Sequence, residues 1–138
     1  MAFKVAALLS TLTLIYLLSA LLFTSGLSQS YPISLTVYNS LSKQNNLTFT
    51  TDIAYRGILI GAMKKIQAAN KKFRFKTIED PNYGPFLVSV NGLAGNNEEH
   101  TYWELLAERK GKIIVPDVGI GCFIPEPNDK VILKFTTW

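Results

Sequence analysis

The chain has 138 residues, 48% of them apolar, and a formal charge of +4, which suits one small globular domain and excludes a multidomain enzyme. Its single cysteine, Cys122, forbids an internal disulfide, so the fold must stand on a hydrophobic core. One cysteine and one histidine also exclude the usual metal-ligand spacings.

Residues 1–26 hold 18 of the apolar side chains, and the remainder of the chain has an ordinary globular composition. Val5 to Phe23 is nearly unbroken hydrocarbon behind one cation, Lys4, and Thr24 to Ser30 is small and polar. This predicts a signal peptide over 1–26, cleaved between 26 and 30, and a secreted, extracellular product. An uncleaved segment is long enough to anchor the chain in a membrane. Asn46-Leu47-Thr48 is a glycosylation sequon, expected on a surface loop at Asn46.

The domain at 31–138 begins with two alternating segments, Ile33–Tyr38 and Leu47–Thr50, which predict strands joined by a polar turn over Asn39–Asn46. Between Arg56 and Asn70 the apolar residues Leu59, Ala62, Met63 and Ile66 recur at helical spacing, with Asn70 as C-cap. Gly57 and Gly61 weaken that helix and fit one pressed closely onto a sheet. Phe73–Ile78 and Phe86–Val90 predict two further strands around the turn formers Glu79 to Asn82. Leu93–Glu99 reads as a loop. Thr101–Leu106 reads as a strand in which Tyr102 and Trp103 anchor the core, and Lys112–Val115 and Lys130–Phe135 complete the set. The fold class is α+β: a mostly antiparallel sheet with one packed amphipathic helix.

Little of this composition supports catalysis. His100, the only histidine, lies beside Glu98 and Glu99 in a polar loop and reads as solvated. No glycine cluster forms a phosphate cradle, and nothing suggests a nucleic-acid module. Lys64, Lys65, Lys71, Lys72, Arg74 and Lys76 form a basic stretch that reads as an outer face or as a docking site for an anionic glycan. Cys122 reads as a small buried hydrophobe or as an intermolecular bridge.

Several strings occur in a telling order: Phe73-Arg74-Phe75, NYGPFLVSVNG from Asn82 to Gly92, TYWELL from Thr101, VGIGCFIP from Val118, and a closing KFTTW. From Ile53 to Trp138 the series resembles the C-terminal β domain of the transcobalamin and gastric intrinsic factor family. The resemblance implies binding or transport of cobalamin, which the family holds between a helical barrel and this β domain. The chain after residue 30 has no room for that barrel, so a separate helical-barrel protein or a receptor is an implied partner.

The same resemblance marks three places for ligand contact. The first is Tyr83-Gly84-Pro85-Phe86-Leu87, where a glycine admits close approach, a proline withholds a donor and aromatics supply area. The second is the loop with Gly119, Ile120 and Phe123, and the third is Trp138. A hairpin turn with buried aromatics is the structural alternative at the first. The alternative function is an interaction module on the same scaffold that binds a protein or an anionic glycan surface and no vitamin.

Overall fold

The computed structural model of the protein describes residues 29–138. The export segment expected over 1–26 lies outside the described residues, as does most of the cleavage window. Within the described residues lie eight strands and one helix: β1 Ser30–Asn39, β2 Leu47–Ala54, α1 Leu59–Ala69, β3 Phe75–Asp80, β4 Gly84–Val90, β5 Leu93–Ala94, β6 Thr101–Arg109, β7 Lys112–Ile114 and β8 Lys130–Thr137. They form a five-stranded sheet in the order β2-β1-β8-β6-β7 and a three-stranded sheet in the order β3-β4-β5. Every pairing is antiparallel except β1 with β8. Among the described residues no helix is long and apolar enough to cross a membrane.

Alternation does what the sequence predicts in the five-stranded sheet: Leu35, Ala107, Val131 and Leu133 turn inward and are fully buried. The helix lays Leu59, Met63 and Ile66 on the same core, and the smaller sheet adds Leu87 and Val90. Phe73 is fully buried just before β3, its ring 5.4 Å from Phe49 and 5.7 Å from Phe75.

The helix begins at Leu59 and not at Arg56, because Arg56 has φ 58° and Gly57 is pinched against Ala54 and Ile53. Gly61 has open space around it, so only Gly57 marks a close approach. Ile58 provides no side-chain cap. Instead the Leu59 and Ile60 amides donate to the carbonyls of Phe123 and Ile120, at 2.8 and 3.0 Å, which satisfies donors that a helix start leaves open. At the other end Asn70 caps as expected, its amide donating to Ile66. Arg74 then gives one guanidinium nitrogen to the carbonyls of Gln67, Asn70 and Phe73.

Three other expectations shift. Glu79 and Asp80 continue β3, and the turn is made after them, with the Asp80 carboxylate accepting from the Asn82 and Tyr83 amides. Part of the expected loop after Gly92 is strand β5, folded back by a two-residue turn with positive φ at Asn91 and Gly92. Cys122 is exposed. The tight turn closed on the Gly119 carbonyl sends Ile120 and Phe123 inward and leaves Cys122 outside.

Candidate functional site

The two sheets meet along β4 and β6, and the site lies in the gap between them. Across β3 and β4 the register steps from Lys76↔Ser89 to Thr77↔Leu87, so Val88 is an extra, bulged residue. Its carbonyl turns away from β3 and accepts from the Gly95 amide at 3.3 Å. The chain then passes so close to β6 that a Cβ on Gly95 would stand 2.8 Å from the Thr101 carbonyl oxygen.

Above this joint opens a cleft of about 530 Å³. Phe86, Leu87 and Val88 form one side and Thr101, Tyr102 and Trp103 the other; Gly95 and Asn97 lie at the joint, and Trp138 adds a wall. A smaller depression of about 90 Å³ shares Phe86, Leu87 and Trp103, and is bounded by Tyr83, Pro85, Leu105, Gly119 and Ile120. Among the described residues no charged side chain lines either one. Large, mostly apolar hollows with a few placed polar groups are where small molecules bind.

The polar groups come from the backbone. Thr101 exchanges both its main-chain bonds with Asn96, so by alternation the odd residues of β6 direct N–H and C=O away from β8. Ala107 and Arg109 meet β7 on that side. One step further along this register Leu105 would face Pro116, which has no N–H, and the ladder stops. Among the described residues the main-chain groups of Trp103 and Leu105 therefore have no ladder partner in β7 or β8. Both face the gap to β4.

Three of the side-chain polar groups around the cleft are already engaged. The indole nitrogen of Trp103 donates to the Leu93 carbonyl at 2.8 Å, and Thr101 Oγ1 accepts from the Asn96 amide at 2.9 Å. The Tyr102 hydroxyl donates to Glu104 at 2.7 Å, and this bond, with burial second, raises its pKa. Among the described residues no group of His, Cys, Asp and Glu could hold a metal ion.

The residues marked from the sequence fall in different places. Phe86, Leu87 and Trp138 line the cleft, while Tyr83, Pro85, Gly119 and Ile120 join Phe86 and Leu87 around the smaller depression. Gly84, at φ 71°, shapes the β4 start and lines neither. Phe123 lines neither hollow; it is buried in the core, and its carbonyl caps α1. Asn46 is exposed in the loop between β1 and β2. Tyr102 and Trp103, read as core anchors, are half-buried cleft residues, although Trp103 also packs on the core and against Phe135. Their adjacency hides this: neighbours on a strand face opposite ways, and only the nonlocal approach of β4 brings both to one hollow.

No family model matches the chain. Human transcobalamin-1 is 31% identical over 91 residues, covering 59% of this chain and 21% of the relative. Mouse cobalamin binding intrinsic factor is 28% identical over 93 residues, covering 67% and 21%. The chain thus spans about a fifth of the length of the curated relatives it matches. Among solved structures, haptocorrin in complex with Cbi superposes with a TM-score of 0.68 over 80% of this chain and 26% of that one, at 20% identity. A putative metal binding protein from Ruminococcus gnavus superposes at 0.57 over 78% of this chain and 98% of its own, at 15% identity, so a similar fold also occurs as a whole chain. The mouse relative is named for cobalamin binding, and the haptocorrin structure holds Cbi. In sequence and in fold, the chain resembles the C-terminal β domain of the transcobalamin and gastric intrinsic factor family.

Proposed function

We propose that the cleft between β4 and β6 binds one face of a corrinoid, cobalamin foremost, and that the protein is a secreted cobalamin-binding or transport-related module. The open main-chain groups of Trp103 and Leu105 within an aromatic hollow carry this reading. A corrin is a broad apolar plate edged with amide arms. Phe86, Tyr102 and Trp138 supply area for the plate, and the unpaired edge of β6 supplies donors and acceptors for the arms. The names of the relatives support the same ligand.

One wall desolvates only part of such a ligand, so the module alone binds more weakly than a two-walled carrier. Ile78 and Phe86 stand opposite each other on β3 and β4, and with Tyr83 all three are more than half exposed. This apolar hairpin supports a separate helical-barrel protein as the partner that covers the ligand's outer side. The anionic-glycan alternative is weakened at Arg74, whose guanidinium is committed to helix-end carbonyls. Export through the leading segment and a glycan on exposed Asn46 complete the proposal.

Calorimetric titration of the purified protein with cobalamin tests it. Saturable binding at one ligand per chain is expected. Absence of binding at roughly 100 μM ligand, both alone and with a helical-barrel domain added, overturns it.

A further inference from the structure

We infer that His100, which lies outside the cleft lining, is a positioning residue that fixes the Trp138 ring as the wall of the corrinoid site. The inference rests on the corrinoid reading above.

Trp138 is 61% exposed, yet it is held from three directions. Its amide donates to the His100 carbonyl at 3.0 Å. Its ring meets the His100 imidazole edge-on at 5.2 Å and 89°, and the Tyr102 ring at 5.7 Å and 74°. Tyr102 belongs to β6 and lines the cleft, whereas His100 belongs to the loop before it. Without the imidazole the ring keeps one aromatic neighbour and gains room to swing away from the hollow.

The imidazole is itself placed by the loop. Asn96 bridges to Thr101, and its side-chain oxygen accepts from the Glu98 and Glu99 amides at 2.8 and 3.4 Å. The loop closes with the His100 amide on the Asn97 carbonyl and His100 at φ 56°. Asparagine and histidine tolerate this left-handed backbone better than most residues. The exposed ring of His100 has no hydrogen-bond partner among the described residues, so its defined neighbour is Trp138.

The test compares His100→Asn, which keeps the backbone preference and removes the ring, with His100→Phe, which keeps a ring. Cobalamin affinity is measured by calorimetry, and the Trp138 indole N–H is followed by nitrogen-15 NMR. His100→Asn is expected to weaken binding by about threefold to tenfold, the range of one aromatic edge contact, to shift and broaden the Trp138 signal, and to leave the thermal midpoint unchanged. His100→Phe is expected to recover most of the affinity. Unchanged affinity and an unmoved Trp138 signal in His100→Asn, with wild-type protein binding normally, overturn the positioning role alone. Failure of the wild-type protein to bind, both alone and with a helical-barrel domain added, overturns the corrinoid reading and this role with it.

Discussion

Gly121 packs directly against the Pro85 ring: a Cβ placed on Gly121 would stand 2.7 Å from Pro85 Cδ and 3.1 Å from Cγ. The contact joins two segments that the sequence marks separately, the β4 start and the loop that caps α1. A proline ring cannot rotate away, so Gly121→Ala must displace the loop, and with it the Ile120 and Phe123 carbonyls that cap the helix. We expect a loss of about 1–3 kcal/mol, the usual cost of overpacking, read from urea denaturation. Gly61→Ala provides the contrast. It meets nothing within 4 Å on an exposed helix position, so it should stabilise the protein by about 0.5–1 kcal/mol.

Arg109 makes a two-pronged bond to Asp129, at 2.9 and 2.7 Å, and the Asp129 side chain is fully buried. The same carboxylate accepts from the Glu126 amide, so it ties the long segment before β8 to β6. Removing the guanidinium leaves a buried charge without its counterion. Arg109→Ala and Asp129→Ala should each cost about 3–5 kcal/mol. Glu126 reaches Arg109 at 3.2 Å from a side chain that is 58% exposed, and Glu126→Ala should cost under about 1 kcal/mol. Equal effects of the three variants in thermal denaturation would contradict this account.

Phe86 and Leu87 are neighbours on β4 with opposite duties. Both line the two depressions, but Phe86 is 53% exposed there, whereas Leu87 is 8% exposed and belongs to the core. Phe86→Ala should lower cobalamin affinity roughly tenfold, the scale of a lost aromatic contact with its buried area, with little change in stability. Leu87→Ala should cost about 2–5 kcal/mol of stability. Calorimetric titration beside denaturation separates the two, and a stability loss at Phe86 matching that at Leu87 would place both in the core.

Much of this arrangement is legible in the residue pattern alone. The alternation of Ile33 to Val37 and of Val131 to Phe135 marks true strands, and Leu59, Met63 and Ile66 mark the buried face of α1. Phe86 and Trp138 are visible as candidate contacts through the family resemblance. The hidden features are nonlocal. No residue type announces that Val88 is bulged, and β5 is too short for a two-residue period to register. The unpaired edge of Trp103 and Leu105 depends on where β7 stops, and the sequence shows the cause, Pro116, without showing which strand it would have paired. Cys122 and Phe123 are adjacent in one turn, and only its closure on Gly119 decides which is buried.

The two engaged phenols give the protein a predictable alkaline limit. Tyr102 donates to Glu104, and its pKa is raised above 10.0 first by that bond and then by burial. Tyr31 donates to the Pro125 carbonyl at 2.6 Å and is raised first by burial, then by the charges of Asp129 and Glu126. A raised folded pKa favours the folded state while the proton is held. This contribution is therefore complete below pH about 10 and is lost as pH climbs through the folded values. Stability should fall in that range, and Tyr31→Phe and Tyr102→Phe should each remove an ionisation from the alkaline end of the phenolate absorbance curve. Ionised Tyr102 would also set a second negative charge beside Glu104 at the rim of an apolar cleft. Cobalamin affinity should decline over the same interval in the wild-type protein and decline less in Tyr102→Phe, a difference that a loss of global stability alone would not produce.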